Sequence, residues 1–493
     1  MICAMRNLFL FCCLLPPIAF AQLPESVRNQ LRAAHIPEDA LGASVLRLSD
    51  YSILLSHGAE RSLQPASTLK LLTTIVGLEI LGPAYRGRSE LRTSAPVVNG
   101  VLQGDLILRG RADHDLDWNA FRNMLYTLRQ KGIRDIQGDF VLDRLMFTPA
   151  RRDQGAPPFD EAPEFRYNVI PDAVLLNTNL LQFDFDTDDR VLRIVTTPAL
   201  DRVSIDSRMT LVERDCEKWE EGWKIPALSR SGDDVIHIQL NGEFPKNCST
   251  STHLNVLDRT DFADRLFRAF WRDLGGAFHG RTREALGENA EPADMRLLIE
   301  HRSRPLAEIT RDINKRSDNP MTRLLYLTLG ALNANPANSR TVENTEVSAE
   351  RTIRSWLAQH HIDDQGLVLE NGSGLSRKER IRPAQLAAIL KAAGHSNWAA
   401  EFFSSLPIAA LDGAMQKRLR DSPAAQRARI KTGSLKDVVA IAGYVPDANN
   451  QLCVIVAMLN HPLATGAVGR PILDALIDWV ARSTANQGVT ETK

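Results

Sequence analysis

Residues 64–83 read Gln-Pro-Ala-Ser-Thr-Leu-Lys-Leu-Leu-Thr-Thr-Ile-Val-Gly-Leu-Glu-Ile-Leu-Gly-Pro. From Leu69 to Leu81 the run is almost continuously apolar, and Gly82-Pro83 stops it. A stretch that is apolar on nearly every helical face belongs at the centre of a domain, buried on all sides. Ser67 sits in its first turn, with Lys70 three residues on. Working outward, residues 43–48 (ASVLRL) and 51–56 (YSILLS) are short apolar runs around Ser49-Asp50, the pattern of a hairpin. At the far end of the chain, Ile430 to Gly433 opens a strand series that continues through 438–445. A turn at 447–450 leads into a strand over 452–459, and a closing helix is predicted over 471–482. A hairpin with a buried helix at one end and a hairpin with a helix at the other predict one α/β domain, of the α+β kind, divided in sequence.

The dividing segment has a different character. Between 87 and about 295, runs such as 101–108, 140–142, 180–185 and 191–196 alternate with Gly, Asp and Pro turns, while helical patterning is confined to 117–131 and 261–274. This predicts a β-rich insertion of two subdomains. Helical periodicity returns at about 303: Pro305 opens a helix with Leu306, Ile309 and Ile313 on one face. The turn Lys315-Arg316-Ser317-Asp318-Asn319-Pro320 separates it from a helix over 321–332, and a short helix is expected over 383–393.

Composition sets the outer limits. With 493 residues, the chain is longer than the roughly 100–200 of one domain. A 44% hydrophobic and 24% charged mix excludes a disordered or coiled-coil chain. Net charge −1 excludes the electrostatic footprint of a dedicated nucleic-acid binder. Residues 1–21 read as a signal peptide: Arg6, an apolar stretch over 8–20, and Ala19-Phe20-Ala21 before Gln22. That stretch is too short, and too interrupted by Pro16-Pro17, to span a membrane, so the cleaved chain is expected to be exported with no transmembrane segment. Cys3, Cys12 and Cys13 leave with it. Cys216 and Cys248, both in polar turn-rich sequence, would pair in an oxidising compartment, the alternative being two free surface thiols. Cys453 lies in an apolar run and reads as a buried, inert thiol. No Cys/His spacing predicts a metal, and His360-His361 reads as a solvated helix end.

Three short motifs carry the chemistry. In Ser67-Thr68-Leu69-Lys70 the two polar ends share a helix face, so the Lys70 amine can reach the Ser67 hydroxyl. A serine hydroxyl is a weak nucleophile until a base takes its proton, and a desolvated amine near another cation can be that base. Ser317-Asp318-Asn319 places a hydroxyl and a carboxamide in a turn, suited to proton relay and to binding an amide. In Lys431-Thr432-Gly433-Ser434 the Lys is a fixed positive charge, the hydroxyls can bind a carboxylate, and Gly433 lets a substrate approach the backbone. Taken singly, each reads equally well as a helix cap or strand-entry turn.

In this order, S-x-x-K, S-D-N and K-T-G form the signature of penicillin-binding proteins and serine β-lactamases. The chain resembles the D-alanyl-D-alanine carboxypeptidases/endopeptidases among them, the class C low-molecular-mass penicillin-binding proteins of the penicillin-binding-protein-4 type. The resemblance rests on 65–70, 314–319, Gly372-Ser373-Gly374-Leu375-Ser376-Arg377, Leu406-Pro407 with Asp412-Gly413, and 431–435. It rests also on the 250 residues between Ser67 and Ser317, a gap much longer than in class A β-lactamases. It implies a catalytic domain made of 22–86 and 300–493, split by inserted domains at 87–299. It further implies that Ser67 attacks the carbonyl of a D-Ala–D-Ala bond or of a D-configured cross-link, with Lys70 as general base. Ser317 and Lys431 would then deliver a proton to the leaving amine while Asn319 orients the acyl-side amide. Thr432, Gly433, Ser434 and Asp318 form the substrate-binding set, and the backbone N–H groups of Ser67 and Ser434 hold the oxyanion. No cofactor is implied; the partners are peptidoglycan stem peptides and, as covalent inhibitors, β-lactams. The location implied is periplasmic, free or loosely held at the membrane surface. Two departures stand out: Asn371 replaces an Asp, and Arg109-Gly110-Arg111-Ala112-Asp113 replaces a G-D-P-T-like stretch. Asp160 or Glu161 would be the acidic group that recognises a diamino acid. The competing readings are a β-lactamase and a non-catalytic peptidoglycan-binding or sensor protein.

Overall fold

The computed structural model describes residues 22–155, 162–286, 295–333 and 343–484; the signal segment, Asp160 and Glu161 lie outside them. The two ends of the chain meet in one five-stranded antiparallel sheet, in the order Arg429–Leu435, Val438–Pro446, Leu452–Asn460, Leu41–Arg47, Ile53–His57. Leu41–Arg47 lies along Leu452–Asn460 with Val45 opposite Ile455. The inner strands are buried almost throughout because both faces are covered, which is why they read as unbroken apolar runs rather than alternating ones. One face packs on Val27 and Leu31 of the helix Glu25–Ala33, and on Leu473, Ile477 and Val480 of Gly466–Arg482. The other packs on a helical layer with Lys70–Leu81 at its centre. Leu71, Leu72, Ile75, Val76 and Leu78 in that helix are fully buried, as the all-apolar run predicts.

The intervening segment leaves this unit and returns at one place. The Ser303 amide donates to the Gly87 carbonyl at 2.9 Å, and Arg88–Thr93 pairs antiparallel with Arg296–Arg302. These two strands belong to a five-stranded sheet with Leu106–Arg111, Phe140–Asp143 and Thr282–Glu284. The helices Trp118–Gln130 and Arg259–Asp273 pack on it through Phe121, Leu125, Leu266 and Phe267. Farther out, Leu181–Thr187 sits between Leu192–Thr197 and Ser249–Leu254, and Ile236–Pro245 pairs with Val203–Ser207, Thr210–Val212 and Trp223–Arg230. Phe183, Phe185, Trp219 and Phe244 fill the space between these two sheets. Cys216 and Cys248 form a disulfide there, and Cys453 is a buried free thiol in the central sheet.

Three expectations change. The run 101–108 is two strands in different sheets, Val101–Leu102 and Leu106–Arg111, with Gly104 in the break. The closing helix begins at Gly466, not Pro471: the Thr465 hydroxyl caps it by accepting from the Val468 amide, and Pro471 lies inside. Pro471 costs this helix one intrahelical bond, which the buried face of Ile472, Leu473, Leu476, Ile477 and Val480 offsets together with the cap. Of the pair at the end of the helix Thr345–Gln359, His361 is exposed as expected, but His360 is only part-exposed. Its ring lies 4.2 Å from the Trp356 ring, with Nε2 at 3.0 Å from the Glu79 carboxylate, an acceptor supplied by the central helix.

Candidate active site

Ser67 lies in a 3-10 turn, Ala66–Leu69, that runs straight into the helix Lys70–Leu81. The turn is entered through Ala66 at φ +46, a left-handed conformation that costs a non-glycine residue energy and persists where surroundings enforce it. Those surroundings are two glycine-bearing segments. A Cβ on Gly374 would meet the Ala66 carbonyl oxygen at 1.8 Å, and one on Gly433 would meet Pro65 O at 2.8 Å and Ser67 N at 2.9 Å. Only glycine allows the strand Arg429–Leu435 to lie this close to the Ser67 backbone.

The Lys70 side chain has no exposed surface. Its Nζ lies 3.0 Å from Ser67 Oγ and donates to Asn319 Oδ1 and to the Ser373 carbonyl, both at 2.6 Å. Burial pulls the amine down to about 7; Glu379 and Asp318 oppose that shift and Arg323 adds to it. A lysine near 7 is a competent proton acceptor at neutral pH.

Ser317, Asp318 and Asn319 form the junction between the helices Leu306–Arg316 and Asn319–Leu332. Ser317 ends the first in a left-handed conformation at φ +59; the Asp318 carboxylate caps the second by accepting from the Met321 amide at 2.8 Å. Ser317 Oγ accepts from Lys431 Nζ at 2.9 Å. Lys431 also has no exposed surface, and burial, with Lys70 as a second cause, pushes its amine well below the usual lysine range. Two amines and two hydroxyls thus converge from parts of the chain as distant as residues 67 and 431. Thr432 and Ser434 alternate with Lys431 along the edge strand, so they share one of its faces, with Ser434 exposed. Asp318 is nearly buried: besides its cap, Oδ2 accepts from Arg166 Nη2 at 2.7 Å. Its carboxylate is therefore occupied by the fold itself.

Several contributors carry no motif. The insertion supplies Arg166 and also the Tyr167 carbonyl, which accepts from Asn319 Nδ2 at 3.0 Å. Ser373 and Glu379 come from a glycine-rich loop after the helix Thr345–Gln359. The only sequence signal for them is the Gly372-Ser373-Gly374 string, whose glycines both have positive φ. Among the described residues, no group of three or more His, Cys, Asp or Glu could hold a metal ion.

A serine hydroxyl beside a buried amine held near 7, with a second lysine–serine pair next to it, is an arrangement that can carry acyl transfer. The model of the D-Ala-D-Ala carboxypeptidase 3 (S13) family matches residues 23–483. The chain belongs to this S13 family. Among relatives, it is 27% identical over 449 residues to a D-alanyl-D-alanine carboxypeptidase of Actinomadura sp. (strain R39), covering 88% of this chain and 80% of that one. It is 24% identical over 437 residues to the D-alanyl-D-alanine carboxypeptidase DacB of Haemophilus influenzae, covering 86% of each. Penicillin binding protein 4 from Haemophilus influenzae superimposes with a TM-score of 0.76 at 21% identity, over 93% of this chain and 99% of that one, so the fold is that of this penicillin-binding protein. The function expected from the motifs, a serine DD-peptidase acting on peptidoglycan, is that of the S13 family.

Proposed function

We propose that this S13 peptidase works through Ser67 as nucleophile and Lys70 as general base. The observation that carries the reading is the buried Lys70 amine, near 7 and 3.0 Å from Ser67 Oγ. Neutral Lys70 takes the hydroxyl proton as Ser67 Oγ bonds to the carbonyl carbon of the substrate's penultimate D-Ala. The oxyanion sits at the Ser67 and Ser434 amides; each such donor typically contributes about 10²–10³ in rate. The C–N bond then breaks, and the departing D-amino acid takes a proton delivered through Ser317 and Lys431, paired at 2.9 Å. Asn319, held at both ends of its carboxamide by Lys70 and Tyr167, orients the acyl-side amide, and Thr432 and Ser434 bind the terminal carboxylate. Water hydrolyses the ester on Ser67 and regenerates the enzyme. Asp318 acts on substrate indirectly, by fixing the helix start that carries Asn319.

In this reading, residues 22–86 and 300–493 are the catalytic unit and 87–299 an insertion that completes its rim. The natural partners are stem peptides of peptidoglycan, and β-lactams acylate Ser67. Among the described residues no helix is long and apolar enough to cross a membrane. The signal-peptide pattern of residues 1–21 supports a periplasmic site of action. Ser67→Ala is expected to lose both D-Ala release from a pentapeptide and the mass increment left by penicillin. A penicillin adduct retained on the variant, measured by intact mass, overturns the assignment.

A further inference from the structure

Four amides of one loop converge on a single buried carboxylate beside the site. Glu379 has no exposed surface. Its Oε1 accepts from the amides of Glu370, Asn371 and Gly372 at 3.2, 2.9 and 2.8 Å, and its Oε2 from that of Gly374 at 2.9 Å. The one amide of the loop it does not take, that of Ser373, goes to Asn371 Oδ1 at 3.0 Å, which also accepts from the Ser373 hydroxyl. With four of the five N–H groups turned onto Glu379, the Gly372 and Ser373 carbonyls turn outward. Ser373 O reaches Lys70 Nζ and Gly372 O accepts from Thr73 Oγ1, one helical turn farther along the same helix.

An ammonium has three N–H donors, and charged Lys70 has three acceptors: Ser67 Oγ, Asn319 Oδ1 and Ser373 O. The neutral amine keeps two N–H groups and one lone pair. With Asn319 and Ser373 taking the two N–H groups, the lone pair has one direction left, toward the Ser67 hydroxyl. The Ser373 carbonyl is therefore half of what aims the base. Accepting the reading of Lys70 as base given above, we infer that Glu379 is its positioning residue: by gathering the amides of loop 370–374, it points the Ser373 carbonyl at the Lys70 amine. Burial pushes the Glu379 carboxyl up and the four loop amides pull it back down; its charge, when ionised, has a second consequence. The charged groups acting on Lys70 are Glu379, Asp318, Arg323 and the neighbouring Lys431, and Glu379 is the largest of those favouring the protonated amine.

The test is the pH dependence of acylation by a fluorescent penicillin, per folded molecule, in the wild type, Glu379→Gln and Glu379→Asp. The Gln amide places an N–H against one of the loop amides and removes the charge. Acylation is expected to fall about 10²-fold, the usual effect of misplacing a catalytic group by an ångström. Its acid limb is expected to move to lower pH, because the neutral amine loses an opposing charge. Asp keeps the charge but shortens the reach, so it should slow acylation with the acid limb where the wild type has it; this variant carries the test if the Gln variant does not fold. Wild-type rate in either variant, or a Gln variant slowed with an unmoved acid limb, overturns the inference. A wild type that penicillin does not label overturns instead the assignment of Ser67 and Lys70.

Discussion

At the scale of single residues, burying two amines costs the fold stability and, in the proposed mechanism, makes one of them a usable base. Lys70 and Lys431 are both fully buried amines, and desolvation lowers both. For Lys70 the sign follows from comparing its folded value, about 7, with the ordinary lysine value of 10.5. Below 7 the amine is charged in the folded and unfolded chain alike, so the folded chain bears the full cost of burying the charge. Between those values only the unfolded chain holds the proton, and the cost recedes as pH rises. Lys70→Met is therefore expected to reduce penicillin acylation by about 10²–10⁴-fold, the usual worth of a positioned base. It should also raise the melting temperature, more at pH 6 than at pH 9.5; a variant less stable than the wild type at pH 6 contradicts this account of the lysine. Wild-type acylation is expected to rise with pH around a midpoint near 7, not 10.5, and stopped-flow labelling across that range checks it. That Ser67, Lys70, Ser317, Asn319 and Lys431 come together was legible as sequence because each lies in a short contiguous string. The string around Ser373 was legible but not the bond from Lys70 to its carbonyl, 303 positions away, and Glu379 lies outside every string.

At the scale of elements, the apolar runs told helix and strand apart where burial is complete and failed where short elements change sheets. The helix Lys70–Leu81 and the strands Val438–Pro446 and Leu452–Asn460 were legible because each is covered on all sides, leaving little polar sequence to confuse the pattern. The outer sheets of the insertion are half exposed and short, so their order was not legible; nothing in one strand states which neighbour it will pair with. The disulfide supplies part of what those sheets lack in core. It closes a separation of 32 residues between the turn Cys216–Gly222 and the strand Ser249–Leu254, and Cys248 is buried among Phe244 and Trp219. Loop-closure entropy puts such a link at about 4 kcal/mol. The double variant Cys216→Ser, Cys248→Ser should lower the first calorimetric transition while leaving penicillin acylation at 20 °C unchanged. A parallel loss of acylation would mean that the outer sheets support the site directly.

At the scale of the whole molecule, the insertion enters and leaves through Gly87 and Ser303, whose backbones are hydrogen-bonded, so its removal leaves two ends already side by side. Continuity of the chain is thus no reason for the central sheet and its helices to need it. The contact between the two parts is a reason. Leu324 and Leu327 on the helix after the S-D-N turn are buried against Phe147, Val169, Leu175 and Leu180, all from the insertion. On the same helix Arg323 donates to the Val169 carbonyl, Asn319 to that of Tyr167, and Asp318 accepts from Arg166. Uncovering a buried leucine costs about 1.5–3 kcal/mol, and two of them approach the lower end of the 5–15 kcal/mol that holds a typical domain together. A chain with Gly87 joined to Ser303 by a short glycine linker is therefore expected to bind an apolar dye at the exposed helix face. Per folded molecule it should acylate at least tenfold more slowly, because Asn319 has lost the acceptor that holds its free end. Wild-type acylation in the shortened chain would show that the central sheet and helices make the site unaided.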